Sequence, residues 1–146
     1  MGLRVGSEAP HFSLPTISTG ELSALEDLLA NNRPVLLVFV DPACGSCTYL
    51  LPDVARWQHE HSAEILVALI TTGRLEANRQ TLAEQPDIRY VFIQEDREVA
   101  RRYNMSATPT AVIIDPDGTI ASPVAAGAEA IRRLAASITA GIERTD

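Results

Sequence analysis

Residues 35–52 read VLLVFVDPACGSCTYLLP, and this stretch decides the fold. Its first six residues are continuously apolar and partly β-branched, which is typical of a strand buried on both faces of a mainly parallel sheet. Asp41 and Pro42 interrupt the apolar run, and a helix is predicted to begin at the cysteine pair. Pro52 lies inside that helix and should kink it. The sequence therefore places a Cys-x-x-Cys motif between a buried strand and a helix.

The cysteine pair has the position of a reactive site. Cys44 and Cys47 are the two cysteines of the chain, and Gly45 and Ser46 separate them. The first lies at the start of the helix, where unpaired backbone N–H groups and the helix dipole favour a negative charge and lower the pKa of a thiol. The second lies one turn inside the helix, close enough to attack a disulfide formed on the first. Cys44 is therefore predicted to be the nucleophile and Cys47 the resolving thiol.

Two other roles for the pair stay open at this point. One is a structural disulfide, although a bridge across so short a loop constrains the unfolded chain little. The other is a zinc site, which needs two further ligands. The histidines available for such a site are His11, His59 and His61, and the last two lie at the far end of the helix that begins at the pair.

The rest of the chain alternates strands and helices. The sequence predicts an irregular arm or a small hairpin over residues 1–20, and an α/β fold with a central mixed sheet flanked by helices. The S-x-x-E pattern at Ser23–Glu26 has the form of a capping box. Without a repeat, a low-complexity stretch or a long charge block, residues 1–146 are predicted to form one domain. The further helices are predicted over residues 22–31, 74–84, 96–103 and 129–142, and the further strands over 64–71, 90–93, 110–115 and 119–123.

Composition and charge limit the class of protein. The 146 residues are 46 % hydrophobic and 21 % charged, which is ordinary for a soluble globular domain. A net charge of −7 argues against nucleic acid or an anionic membrane surface as the main partner. The longest apolar runs have six residues, whereas a helix that spans a bilayer needs about 20. The first residues also lack the apolar core of a signal peptide.

A second motif, ATPT at residues 107–110, leads into a late strand. Together with the Cys-x-x-Cys motif and Pro52, it makes the chain resemble the thioredoxin superfamily. The resemblance implies a thioredoxin-like fold. It also implies that a cis peptide bond joins Thr108 to Pro109, that this proline faces the cysteine pair, and that backbone groups nearby are free to bind an extended substrate.

Within that superfamily the chain resembles the TlpA and redoxin branch, which includes the MauD-like proteins. The matching segments are the opening motif at residues 5–14, the LVF sequence at 37–39 and residues 107–120. Residues 74–93 are similar to the central helix-strand insertion of that branch. The resemblance therefore covers nearly the whole chain.

Three positions depart from the family pattern. Ala43 stands where members usually have tryptophan, and Ser46 stands where many have proline. Val38, six residues before the first cysteine, occupies the place of the buried carboxylate that serves thioredoxins as a proton acceptor. Asp41 is the nearest candidate in the sequence to replace it, although an aspartate before a proline is more often a turn former.

The resemblance implies a thiol-disulfide oxidoreductase that exchanges disulfides with protein substrates, with Thr108 and Pro109 at the substrate-binding site. No metal, nucleotide or flavin cofactor is implied, because the cysteines themselves carry the electrons. One alternative is a redoxin-type thiol peroxidase, which would have threonine where this chain has Asp41. The other is a thioredoxin-fold binding or metal-delivery module without enzyme activity.

The resemblance also bears on partners and location. The expected partners are protein thiols and disulfides and a redox partner that the sequence does not identify, with no nucleic acid, and the protein is expected to be a monomer. The TlpA and MauD resemblance implies a domain on the periplasmic side of the cytoplasmic membrane. Since the opening motif begins at Val5, the membrane anchor is expected upstream, in a longer bacterial protein. A cytoplasmic location is the alternative.

Overall fold

The computed structural model describes the backbone of residues 1–143 and side chains as far as Ile138. After a short strand pair at the beginning, strands and helices alternate until two consecutive strands precede the last helix, which is the order that the sequence predicts. In chain order the elements are β1 (Ser13–Pro15), β2 (Leu22–Ala24), α1 (Leu25–Leu29), β3 (Val35–Val40), α2 (Gly45–Glu60), β4 (Leu66–Thr72), α3 (Leu75–Leu82), β5 (Val91–Gln94), α4 (Glu98–Arg102), β6 (Thr110–Ile114), β7 (Ala125–Ala126) and α5 (Ala128–Glu143).

Strand β3 is the middle of a five-stranded sheet with the order β5-β4-β3-β6-β7. It pairs in parallel with β4 and antiparallel with β6, so the sheet is mixed, as predicted. All six of its residues are buried, because strands cover both of its edges and helices cover both of its faces. Phe39 of β3 lies opposite Thr110, the first residue of β6. This pairing brings the loop after β3 next to Pro109.

The core has two parts, one on each face of the sheet, because successive side chains of a strand point to opposite faces. We call the first part the aromatic face. It is covered by the N-terminal segment, α1 and α4, and its aromatic residues are Phe12, Phe39, Phe92 and Tyr103. We call the second part the cysteine face. It contains Cys47 and is covered by α2 and α5.

A hairpin forms near the N-terminus, which is one of the two predicted possibilities, but it spans residues 13–24 and extends past the predicted end at residue 20. Strands β1 and β2 pair antiparallel. Between these two strands, the chain lies along the outer edge of β5: Thr16 forms a bridge to Phe92, and the N–H of Ile17 donates to the carbonyl of Val91 at 3.0 Å. The outer edge of β5 is therefore paired over part of its length.

The helix predicted over residues 22–31 is wrong at its beginning. Strand β2 occupies its first three residues, and α1 only the following five. The capping interaction is shifted by one residue from the predicted Ser23–Glu26 pair, because the N–H of Ala24 donates to Asp27 Oδ2 at 2.9 Å. Pairing with β1 holds the first residues in an extended conformation, so the helix begins after them.

The strand predicted over residues 119–123 is also wrong, since only isolated bridges form there. The side chain of Ser122 takes the place of a backbone partner: its Oγ accepts the N–H of Ile113 at 2.9 Å. Pro123 follows and has no N–H to donate to a strand ladder. The last strand of the sheet is therefore β7, which pairs with the beginning of β6.

The two long helices, α2 and α5, have 16 residues each. Helix α5 begins one residue before its predicted start, and its Ile131 and Ala135 are buried in the cysteine face. Among residues 1–143, no helix combines the length and the apolar character needed to cross a membrane.

Candidate active site

The loop between β3 and α2 sets Cys44 at a helix N-terminus, in agreement with the sequence prediction. Cys44 is the N-cap residue of α2, with an extended backbone (φ −92°, ψ 113°). Its Sγ accepts the backbone N–H of Cys47 at 3.1 Å. A sulfur in this position faces the unpaired N–H groups of the first helical turn, which favour the thiolate over the thiol.

Asp41 shapes this loop. Its Oδ1 accepts the N–H of Ala43 at 2.8 Å, and its backbone carbonyl accepts the N–H of Cys44 at 3.1 Å. This is the turn-forming role that an aspartate before a proline usually has. The turn uses one oxygen of the carboxylate, Oδ1.

The two cysteines form a disulfide, with their Cα atoms 5.2 Å apart. Cys44 is half-buried, whereas Cys47 is 2 % exposed and belongs to the core of the cysteine face. A sulfur of another molecule can therefore reach Cys44 but not Cys47. In the reduced protein this difference favours attack on an external sulfur by Cys44, followed by attack from within by Cys47.

The loop before β6 faces the pair. The Thr108–Pro109 peptide bond is cis, and the carbonyl oxygen of Thr108 lies 3.7 Å from Cys44 Sγ. The N–H of Gly127 donates to the carbonyl of Pro109 at 2.9 Å, which ties the loop to the end of β7. The N–H of Thr108 forms no hydrogen bond with any residue that the structure describes. A backbone donor is therefore available beside the accessible sulfur.

A narrow cleft lies beside Cys47, between α2 and α3. Its surface is mainly apolar, and its polar members include two buried residues, Thr71 and Asn78. Thr71 Oγ1 donates to Asn78 Oδ1 at 2.5 Å, which holds the two side chains together. Among the residues that line the cleft, Asp41 is the one ionisable side chain apart from Cys47 itself.

An exposed aromatic residue, Tyr49, lies on α2 close to the pair and is 76 % exposed. The guanidinium of Arg132, on α5, lies over its ring with Cζ 5.8 Å from the ring centroid. Arg132 Nε also donates to Asp53 Oδ2 at 2.9 Å, so an ion pair joins the two long helices. No local pattern in the sequence indicates this group, because its two charged members are 79 residues apart.

The histidines lie elsewhere. His11 belongs to the N-terminal segment, where its Nδ1 contacts Glu26 and its Nε2 lies 3.4 Å from Glu8. His59 and His61 lie at the carboxyl end of α2. Within the part of the chain that the structure describes, no three or more His, Cys, Asp or Glu side chains are grouped to hold a metal ion.

Comparison with known proteins agrees with this geometry. The model of the AhpC/TSA family matches residues 5–122. The chain is 29 % identical over 123 residues to the thioredoxin-like protein YneN of Bacillus subtilis, a match that covers 82 % of this chain and 71 % of YneN. It is 34 % identical over 124 residues to the methylamine utilization protein MauD of Methylorubrum extorquens, a match that covers 82 % of this chain and 56 % of MauD. The chain thus spans little more than half the length of MauD.

A solved structure shows the same fold. The thioredoxin domain of a thiol-disulfide oxidoreductase from Bacteroides vulgatus superposes with a TM-score of 0.77, covering 93 % of this chain and 99 % of that domain. The two sequences are 18 % identical, so the likeness concerns the fold alone. The predicted thioredoxin-like fold, with its central mixed sheet between helices, is confirmed.

Proposed function

Because this chain belongs to the AhpC/TSA family, on the TlpA and redoxin branch of the thioredoxin superfamily, we propose that it is a thiol-disulfide oxidoreductase acting on protein substrates. The observation that carries the proposal is the arrangement of Cys44 and Cys47. One sulfur is accessible at a helix N-terminus, and the other is buried one turn further on. This arrangement suits exchange in two steps, because a partner can react with the first sulfur only.

In the reducing direction, the thiolate of Cys44 attacks one sulfur of a partner disulfide. A bond forms between Cys44 and that sulfur, and the other partner sulfur leaves as a thiolate. The thiolate of Cys47 then attacks Cys44 Sγ, which closes the internal disulfide and releases the second partner sulfur as a thiolate. Two electrons pass from the cysteine pair to the partner, and each released thiolate takes a proton from solvent. The reverse sequence oxidises a partner dithiol.

Thr108 and Pro109 are proposed to hold the substrate chain during these steps. The N–H of Thr108 is available to a substrate carbonyl, while the carbonyl of the same residue lies against Cys44 Sγ. An extended substrate segment bound here would present its sulfur beside Cys44. Pro109 is buried and has no N–H, so it shapes the loop without competing for the acceptor on the substrate.

Trapping separates the roles of the two cysteines. Cys47→Ser should accumulate mixed disulfides on Cys44, because the bond can no longer be resolved from within, whereas Cys44→Ser should accumulate none. Both variants are produced in the same host, quenched in acid and separated without reductant. In the reduced wild-type protein, alkylation at mildly acidic pH should label Cys44 first. Faster labelling of Cys47, or partner complexes on Cys44→Ser, would contradict the assignment.

Activity assays distinguish this function from its two alternatives. Reduction of insulin disulfides without consumption of peroxide supports the oxidoreductase. Peroxide consumption that is lost in Cys44→Ser would instead identify a thiol peroxidase. Stoichiometric retention of copper or zinc by the reduced protein, without exchange activity, would identify a metal-delivery module.

We further propose that residues 1–146 form one domain that works as a monomer on the periplasmic side of the membrane, with a separate redox partner. MauD is longer than this chain, which covers 56 % of it, so a longer full-length protein with an upstream anchor is compatible with this similarity. The native reading frame tests this location: a hydrophobic segment upstream supports it, and a start codon at Met1 with no such segment would make the protein cytoplasmic. Light scattering during gel filtration tests the monomer.

A further inference from the structure

The resolving step needs a proton acceptor, and the surroundings of Cys47 limit what it can be. Cys47 is 2 % exposed, and burial in apolar surroundings disfavours the thiolate, so the proton must be taken before the sulfur attacks. The place of the family's buried carboxylate holds Val38, which is fully buried among apolar side chains of the cysteine face. A different group has to receive the proton.

The cleft beside Cys47 contains one candidate. Asp41, directly after β3, lines the cleft together with Cys47, and the surrounding α2, β4, α3 and β5 contribute no charged side chain to that lining. The cleft is narrow, with room for roughly one water molecule. A proton passes efficiently between groups in hydrogen-bond contact or through a single water.

The turn holds Asp41 in place for this role. Its Oδ1 is fixed by the N–H of Ala43, and its backbone carbonyl by the N–H of Cys44. Its Oδ2 makes no hydrogen bond or ion pair with any residue among those the structure describes. One oxygen therefore orients the carboxylate, and the other is available to accept a proton.

We propose that Asp41 is the proton acceptor of the resolving step, an inference that rests on the proposed function. In the mixed disulfide, the carboxylate of Asp41 takes the proton of Cys47, directly or through one water. The sulfur of Cys47 then bonds to Cys44 Sγ, and the partner sulfur leaves with the electron pair of the broken bond. Asp41 is half-buried, so its proton returns to solvent. In the opposite direction Asp41 gives the proton back to Cys47.

The variant Asp41→Asn tests proton transfer separately from turn formation. Asparagine keeps the Oδ1 acceptor and is itself a turn former, but it does not take up the proton. Reduced protein is mixed with a chromophoric aryl disulfide in a stopped-flow instrument. The first release of aryl thiol reports attack by Cys44, and the second reports resolution by Cys47. Near neutral pH the second phase should slow at least about tenfold, and the difference should shrink as the pH rises and hydroxide replaces the carboxylate.

Asp117→Asn is the matched control, because Asp117 also caps a turn. Its Oδ1 accepts the N–H and the hydroxyl of Thr119 at 3.1 and 2.7 Å, and it does not line the cleft. Both phases should be unchanged in this variant. Asp41→Ser, which keeps a weaker turn former without the carboxylate, should reproduce the slow second phase.

Two results would overturn the role of Asp41. One is a second phase in Asp41→Asn with the wild-type rate and pH dependence. The other is equal slowing of both phases at every pH, which would show that Asp41 acts through the shape of the loop alone. A wild-type protein with no second phase at all would instead overturn the proposed oxidoreductase function, because the internal disulfide would not close.

Discussion

The aromatic face and the cysteine face share one sheet and are built differently. On the aromatic face, Tyr103 packs against Phe12 and Phe39 with ring centroids 6.5 and 5.7 Å apart, and Phe12 packs against Phe92 at 6.1 Å. The hydroxyl of Tyr103 donates to the carbonyl of Pro10 at 2.7 Å, which fastens the N-terminal segment over these rings. The cysteine face is mostly aliphatic, and the cleft beside its buried sulfur interrupts its packing.

Strand β3 serves both faces with alternate residues. Leu37 and Phe39 point to the aromatic face, whereas Val38 and Val40 point to the cysteine face. The same strand therefore anchors the main aromatic packing and ends in the loop that carries the reactive pair. Both faces are packed cores, but the aromatic ring contacts lie on one side of the sheet and the reactive pair lies on the other. Substitutions on the two faces should then change different measured quantities.

The largest expected effect is the loss of disulfide exchange activity in Cys44→Ser. This result would sharpen the comparison if activity is lost on the cysteine face while stability is unchanged. No insulin reduction should be detectable, since serine does not form a disulfide. The free energy of unfolding of the reduced protein should change by less than about 0.5 kcal/mol, because the site is half-buried and serine is a good N-cap residue. Urea titration under reductant measures it. A stability loss above about 2 kcal/mol would show that the cysteine face also depends on its nucleophile for folding.

The next effect is a loss of stability in Tyr103→Ala, on the opposite face. Tyr103 is fully buried, and truncation of a large buried aromatic side chain costs about 3–5 kcal/mol. Chemical unfolding measures this change. Below the unfolding transition, the exchange rate per folded molecule should stay within about twofold of the wild-type rate, as expected if chemistry lies on the other face. A loss of disulfide exchange activity in folded Tyr103→Ala would show that the aromatic face also contributes to the chemistry.

A smaller effect is expected for Tyr103→Phe, which keeps the ring and removes the hydrogen bond to Pro10. The free energy of unfolding should fall by about 1 kcal/mol. Burial first, and the charge of Glu26 second, raise the pKa of Tyr103. Because this pKa is raised in the folded protein, Tyr103 does not reduce the stability of the wild type below pH 10.0, the ordinary tyrosine value. Above that pH the unfolded protein loses the tyrosine proton more readily than the folded protein, so the free energy of unfolding falls. Tyr103→Phe should lack that alkaline loss. If Tyr103→Phe loses as much unfolding free energy as Tyr103→Ala, the stabilisation comes from the hydroxyl and not from the packing of the ring.

The smallest effect concerns His11 and Glu26, which join the N-terminal segment to α1. The hydrogen bond and charge of Glu26 raise the pKa of His11 above 6.5. The contribution of protonated His11 to the free energy of unfolding is therefore complete below pH 6.5 and is lost as the pH rises through the raised pKa. The pKa of Glu26 is lowered by its own backbone N–H and then by His11, so its contribution is complete above 4.5 and is lost in acid.

The contribution of the pair should therefore be largest between pH 4.5 and 6.5. Unfolding of the wild type and of His11→Gln, each at pH 5.5 and pH 8, measures it. The difference between the two proteins should be small at both values, because the pair is exposed, and larger at pH 5.5. Equal differences at the two pH values would show that His11 acts through packing and not through charge.

The sequence predicts the local geometry of the cysteine pair, with Cys44 at the start of a helix and Cys47 inside it, because the signals there are local. An apolar run, the Asp41–Pro42 break and the cysteine spacing lie within a few residues of one another, and Pro109 marks the loop that faces them. The grouping of Tyr49, Asp53 and Arg132 could not be predicted, since it depends on how α5 lies against α2. The cleft beside Cys47 could not be predicted either, because several elements form its walls.

The errors in secondary structure have a related cause. At Ser23–Glu26 the pattern of a capping box is present, but a partner strand earlier in the chain competes for the same residues and extends the backbone. At Ser122 a side-chain oxygen replaces a backbone acceptor, so a segment with strand composition lies beside β6 without a strand ladder. Both outcomes depend on which segments meet in three dimensions, and local propensity does not contain that information.

The pairing of the two edge strands of the sheet affects the tendency of the protein to aggregate. Open strand edges offer unpaired N–H and C=O groups to strands of other molecules. Here one border, β5, is partly occupied by Thr16 and Ile17, and the other, β7, has two residues. Little free edge is left for a second copy to extend the sheet, although the loop at Thr108 keeps a backbone donor open. A shortened chain that begins after Ile17 would uncover the border at β5, and loss of solubility is its expected consequence.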